Sequence, residues 1–236
     1  TPQASTESDL TATITAKVDG VTIGTITVIV KQLGSSTNPF TNWNDLKTYL
    51  YENSSDSTKI YVKGNLQATE TAYTYRPVTI IPDGDVTITL DENFNGEQLF
   101  NVNADLTLKG EASNQFTIDG DFNIFEYPLI RTANSNITLE YVTMQSYTNS
   151  SEVSSNPEGG AISFNCTDKT LSLINCNFTN VITNIMSNAV FKIGAIYFGN
   201  GNLILDNCSF TQNGENVVDL YCSPDATSNI TLKRNI

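Results

Sequence analysis

The chain of 236 residues has no histidine, which removes Ser–His and Cys–His nucleophile systems, imidazole general bases and His-ligated zinc together. Positive charge is scarce as well: 12 Lys and Arg stand against 25 Asp and Glu, a net charge of −13. A surface of that sign repels phosphate backbones and anionic headgroups, so no nucleic-acid partner is expected. No apolar run approaches the ~18 residues of a membrane-crossing helix, so no direct span is expected. No basic stretch followed by an apolar one opens the chain, and its polar start, residues 1–9, reads as a tether left after processing. The four cysteines, Cys166, Cys176, Cys208 and Cys222, lack CxxC spacing, which points to neither a zinc site nor a redox pair.

What the chain does have is 79 Asn, Thr and Ser, with 39% hydrophobic and only 16% charged residues. That composition suits a β-rich globular protein better than a disordered acidic chain or a coiled coil. Leu10, Ala12, Ile14 and Ala16, then Ile26, Val28 and Val30, alternate with polar residues around Asp19-Gly20, which predicts a hairpin over 10–31. Residues 1–36 are therefore expected to be a hairpin segment and linker, and 37–236 a capping helix followed by coils. Trp43, Leu46, Tyr49 and Leu50 at helical spacing behind the cap formers Thr41 to Asp45 predict a helix over about 42–53.

Beyond Lys59 the chain repeats. Apolar-x-apolar segments starting at Val78, Leu106, Ile137, Leu171, Leu203 and Ile230 align, and each leads into a polar corner. A second set occupies 99–102, 129–132, 161–164, 195–198 and 217–220, and a third 86–90, 116–120, 142–146, 177–181 and 209–213. Three short strands per unit of about thirty residues, joined by Asn, Asp and Gly corners, predict an all-β, right-handed parallel β-helix, a solenoid with an N-terminal β-hairpin and a short capping helix. Coils stacked ~4.8 Å apart hide an apolar row that none could hide alone. Asn175 and Asn207 are expected to ladder at corners, and Phe178 and Phe210 to stack inside. Cys176 and Cys208 fall in one slot of successive coils, close enough for a disulfide, but parallel Cβ vectors favour a reduced stacked pair. Cys166 and Cys222 are expected to lie too far apart to bridge.

Gly159-Gly160-Ala161-Ile162, its degenerate copy Ile193-Gly194-Ala195-Ile196, and Phe210-Thr211-Gln212-Asn213 resemble the GGA(I/L/V) and FxxN repeats of the chlamydial polymorphic membrane proteins and of β-helical surface proteins in spirochaetes and other host-associated microbes. The likeness covers roughly residues 57–236 as a coil pattern, and Phe178-Thr179-Asn180-Val181 departs from FxxN at its last position. The hairpin and helix also look like the front of bacterial lipoproteins built on such coils. The resemblance implies a cell-surface, outer-membrane-associated or secreted adhesin or interaction scaffold, either like an autotransporter passenger or lipid-tethered.

Read by their chemistry, Gly159 and Gly160 supply backbone freedom where the polar excursion from Tyr147 to Glu158 rejoins the coil. The Asp83-Gly84-Asp85 and Asp119-Gly120-Asp121 corners follow no calcium-loop spacing and read as turns, so no metal is expected. The acid pairs Asp91-Glu92 and Asp119/Asp121 are not expected to stack on one face of neighbouring coils. No catalytic residue or cofactor is therefore expected, and a carbohydrate-binding or polysaccharide-degrading β-helix stands second. The candidate contact residues are Tyr73, Tyr75, Phe125 and Tyr127, on the excursions 67–76 and 121–128, placed to meet a host or neighbouring-cell protein or glycan. Open coil ends make end-to-end self-association, as in a spacer or filament subunit, a third expectation. The seven Asn-x-Ser/Thr sequons, at Asn53, Asn136, Asn149, Asn165, Asn177, Asn207 and Asn229, reflect composition rather than glycosylation.

Overall fold

The computed structural model describes residues 10–30, 32–52, 58–149, 160–183, 195–213, 218–220 and 229–235. β1 (Leu10–Val18) and β2 (Val21–Val30) pair antiparallel. Asp19 and Gly20 take φ of 51° and 82° between them, the two left-handed residues a tight hairpin turn requires. α1 (Trp43–Glu52) begins behind Asn42, whose side-chain oxygen accepts from the Asp45 amide at 2.9 Å, an N-cap. Trp43, Leu46 and Leu50 are buried and α1 packs on the first coil, with the Trp43 ring edge-on to Phe100 at 5.6 Å. The helix caps the solenoid as expected.

The first coil is β3 (Thr58–Ala68) and β4 (Ala72–Thr74), and the second β5 (Val78–Leu90) and β6 (Phe100–Val102). β3 and β5 each run through two faces, turning beside Gly64 and Gly84, whose φ of 75° and 83° admit the bend. β7 (Leu106–Lys109), β8 (Phe116–Asp119), β9 (Ile124–Phe125) and β10 (Ile130–Thr132) follow as the third. The fourth holds β11 (Ile137–Glu140), β12 (Val142–Asn149) and β13 (Ile162–Phe164). β14 (Thr170–Ile174), β15 (Asn177–Thr183) and β16 (Ile196–Phe198) make the fifth. Then come β17 (Asn202–Asp206), β18 (Ser209–Thr211) and β19 (Val218–Leu220), and β20 (Asn229–Lys233) opens another. The pairing between coils is parallel throughout, in a six-stranded sheet on one face and a twelve-stranded sheet folded around the other two. The molecule is a parallel β-helix.

The ladder joins Val78, Leu106, Ile137, Leu171, Leu203 and Ile230 in register, residue for residue the alignment drawn from sequence. Two corrections are needed. Half of the 67–76 stretch read as an excursion is strand, because Gln67 pairs with Thr89 and Ala72 with Phe100. In the third column Thr143 pairs with Asn177; Cys176 therefore takes the inward slot that Val142 holds one coil earlier.

Inward residues alternate with outward ones and form one continuous core, from Phe40 and Trp43 to Leu205 and Cys208. Phe164 stacks on Phe198 and Phe178 on Phe210, with centroids 5.6 and 4.9 Å apart. Each fully buried large side chain contributes about 1.5–3 kcal/mol of transfer free energy. Asn175 and Asn207 adopt φ of 54° and 55°, and the Asn207 amide nitrogen donates to the Asn175 side-chain oxygen at 2.7 Å, the corner ladder foreseen. Asn213 is buried and ties two coils: its oxygen accepts from the Val181 amide at 2.8 Å and its nitrogen donates to the Phe178 carbonyl at 2.9 Å. That clamp is the physical content of the Phe-x-x-Asn motif here. Among the sequons, Asn149 is fully buried and the Asn136 side chain holds Asp105 at 2.8 Å.

Cys166, Cys176 and Cys208 are free and buried. The Cys176 and Cys208 thiols donate to the Leu139 and Leu173 carbonyls, both at 3.3 Å, so the same slot is filled the same way in successive coils. Burial pushes the Cys176 thiol well above its ordinary range. Gly160 is buried and the Ala161 amide donates to the Ala195 carbonyl at 2.8 Å. Gly159, Cys222, Ile193 and Gly194, and most of the 146–158 excursion lie outside the described residues.

Candidate functional site

Coil geometry separates the four candidate aromatics into two sets. On β4 the side chains of Ala72 and Thr74 point inward and are buried, so Tyr73 between them points out. Tyr75 follows, half exposed, and stacks on Tyr73 with centroids 6.2 Å apart and planes within 7°. Tyr51, at the end of α1, meets Tyr75 edge-on at 5.6 Å. Of the three rings only Tyr73 lines the neighbouring cleft of about 420 Å³, together with Glu70, Thr71, Asn95, Gly96 and Glu97; Tyr75 and Tyr51 continue the aromatic row from it.

Local chemistry fixes the walls of that cleft. The Trp43 indole N–H donates to the Glu70 carbonyl at 2.8 Å, and the Lys47 ammonium pairs with the Glu70 carboxylate, so α1 holds the β3–β4 corner in place. Opposite, the Thr71 hydroxyl oxygen accepts from the Glu97 and Gln98 amides at 3.1 and 3.3 Å. A Cβ on Gly96 would lie 2.5 Å from that hydroxyl and 2.7 Å from the Thr71 amide, so only glycine lets the two corners approach this closely. The exposed Glu97 carboxylate and Asn95 amide stand beside the Tyr73 ring. A planar apolar face flanked by fixed hydrogen-bonding groups matches a ring-shaped ligand carrying hydroxyls.

Phe125 and Tyr127 are placed differently. The Phe125 ring lies parallel to buried Tyr147 at 5.6 Å and meets Phe94 edge-on at 5.7 Å, and the Tyr147 hydroxyl donates to the Tyr127 carbonyl. Phe125 packs over the coil flank, Tyr127 beside it is half-buried, and neither lines the Tyr73 cleft.

Glu70, Asn95, Glu97 and Tyr51 were not legible as site residues. The signal was the offset of 28 residues that pairs both Val78 with Leu106 and Ala72 with Phe100; applied one strand earlier, it carries Glu97 onto the corner beside Glu70. The acid pairs also differ from expectation. Thr89 pairs with Asp119, so Asp91-Glu92 and Gly120-Asp121 turn at the same corner of adjacent coils. Within the fold, Asp91 accepts from the Gln67 side chain and Asp119 from the Gln145 side chain, both at 2.7 Å. Asp83 is ion-paired with Lys63 at 2.8 Å and Asp85 accepts from the Gln115 amide at 3.0 Å. Among the described residues, no three such side chains gather as metal ligands would.

Comparison with known proteins finds no family model, no curated protein and no solved structure that matches the chain. The reading of the site rests on its own geometry.

Proposed function

We propose that the chain is a non-enzymatic binding protein, displayed on a cell surface or secreted, that acts as an adhesin or interaction scaffold. Its ligand is a glycan or a protein side chain of a host or neighbouring cell, received on Tyr73 and Tyr75 at the helix-capped end. One observation carries this: Tyr73 lines a cleft and stacks on Tyr75, which meets the exposed Tyr51, while side-chain hydrogen bonds of Trp43 and Thr71 hold the corners that form the cleft. Aromatic faces of that kind give contact area at low cost in side-chain entropy. A net charge of −13 favours neutral or basic ligands over uronates and sulfated sugars. What supports surface display is the likeness of Gly159 to Ile162 and Phe210 to Asn213 to the repeats of surface β-helices, a likeness in sequence alone.

A neutral-glycan array and a host-cell binding assay, run on the full chain and on Tyr73→Ala/Tyr75→Ala, test the reading. Binding by the native chain at least tenfold stronger than by the variant is expected, with equal thermal stability. Failure of the native chain in both assays would overturn it.

A second reading has a specific observation behind it. Glu70 and Glu97 line the same cleft, and paired carboxylates are the machinery of glycoside hydrolysis. Release of reducing sugar from a polysaccharide, abolished by Glu97→Gln, would establish that reading instead.

A further inference from the structure

The corner loop between β8 and β10 displays large apolar side chains in a backbone that is costly to hold. Phe122 is 73% exposed, the most exposed large apolar side chain described, and Ile124 is 65% exposed. Asp121 and Phe122 sit consecutively at φ of 52° and 58°, left-handed values that a bulky residue rarely adopts. Other corners use the same region, some at glycine, as Gly64 and Gly84, and some at a side-chain-bearing residue, as Tyr141 at 52° and Asn175 at 54°, but Phe122 is the exposed large apolar one. The Asn123 side-chain nitrogen is buried without a partner, a second cost in the same loop.

Nevertheless the loop is pinned. The Phe122 amide donates to the Ser146 carbonyl at 2.9 Å and the Asn123 amide to Gly120 at 3.0 Å. Ile124 and Phe125 ladder onto Thr148 and Asn149, and the Phe125 ring is held between Phe94 and Tyr147. With Phe125 turned in, Phe122 and Ile124 are turned out. The two apolar side chains are thus presented on a backbone already fixed before any partner arrives, which lowers the entropic cost of binding.

The surroundings specify the partner's charge. The loop 120–128 holds two acids, Asp121 and Glu126, and no base. Asp121 and Glu126 flank the two apolar residues, and exposed Glu92 turns at the same corner one coil away. A second copy brings the same negative field and is repelled.

We propose that Phe122 and Ile124 form a docking knob for a basic amphipathic segment of another protein, its apolar stripe meeting the two side chains and its Lys or Arg rim meeting Asp121, Glu126 and Glu92. Neither residue lines the Tyr73 cleft, so the inference stands apart from the glycan or side-chain reading of that site.

The probe is a synthetic helical peptide with a Leu stripe and Lys rim, titrated by fluorescence anisotropy against the full chain, beside peptides with a Glu rim or a Ser stripe. Binding to the Lys-rimmed Leu peptide alone is expected. It should weaken at least tenfold in Phe122→Ser/Ile124→Ser, and at least tenfold between 50 and 500 mM salt, on the order of the loss from screening a few ion pairs. A second variant, Phe122→Gly, should lose binding while its Tm rises by about 2–4 °C, because glycine relieves the left-handed backbone. Equal binding by the double variant, equal binding of the Glu-rimmed peptide, or no binding at all would overturn the proposal. So would variant-sensitive dimerisation in sedimentation, or variant-sensitive binding to phosphatidylcholine vesicles.

Discussion

The hairpin at 10–30 and the coils beyond Thr58 are written in the same alternation of apolar and polar residues, yet they end in opposite environments. In the hairpin Ile14 pairs with Ile26 and Ala12 with Val28, so one side is apolar and the other carries Thr13, Thr15, Thr25 and Thr27. Its Ile14 and Ile26 remain 59% and 66% exposed. In the coils, Leu108, Leu139 and Leu173 occupy equivalent inward slots and are fully buried. The alternation specifies a strand; burial comes from the next copy stacked upon it. Two strands alone are marginal in water, whereas each coil adds a further layer to one core.

Truncating a stacked core ring should widen that contrast most. Phe178→Ala removes a fully buried ring that lies between neighbouring coils, and a loss of about 3–5 kcal/mol is expected from chemical denaturation. Ile26→Ala in the hairpin, measured the same way, should fall within about 0.5 kcal/mol of the native chain.

The cross-coil clamp should come next. Asn213→Ala strands the Val181 amide and the Phe178 carbonyl in the interior, and a loss of about 1–3 kcal/mol is expected. A loss below about 0.5 kcal/mol would show that the clamp does not join the coils.

A smaller effect distinguishes the regions by pH. The Cys176 thiol is raised in the folded state above its ordinary 9.0 by burial, so the unfolded chain ionises first. The stabilisation is complete below about pH 9 and is lost as pH rises toward the folded value, by up to about 1.4 kcal/mol per pH unit while only the unfolded thiol ionises. Melting curves from pH 8 to 11 should fall less steeply for Cys176→Val than for the native chain. An identical slope would contradict the buried thiol. For the same reason, alkylation of Cys166, Cys176 and Cys208 should require unfolding.

The smallest effect on stability is expected at the cleft. Tyr75→Ala should change Tm by less than about 2 °C, because its ring is half exposed and stacks only on other surface rings. A larger drop would make the tyrosine cluster part of the scaffold rather than a contact surface.

How far the fold was legible follows the same division. The column from Val78 to Ile230 could be read because each inward slot repeats with an Asn or polar corner behind it. The first coil was not, since β3 runs through two faces with only Gly64 marking the turn and β4 is three residues long. Tyr73 was legible as a candidate because it is aromatic and stands two residues from Tyr75, but Glu97 reaches the cleft only through stacking. Phe122 stands in the same aromatic run as Phe125 and Tyr127, but which of the three turns outward is set by tertiary contacts, the Phe122 amide on Ser146 and the Phe125 ring on Tyr147, which leave no local motif.

Amide hydrogen exchange of the full chain, read by mass spectrometry, tests the central contrast most directly. Peptides covering 78–90, 106–119, 137–149 and 170–183 should exchange together and slowly, at the rate of global opening, while 10–30 exchanges orders of magnitude faster. Protection of the hairpin equal to that of the coils, or coils that open independently at hairpin-like rates, would contradict the account.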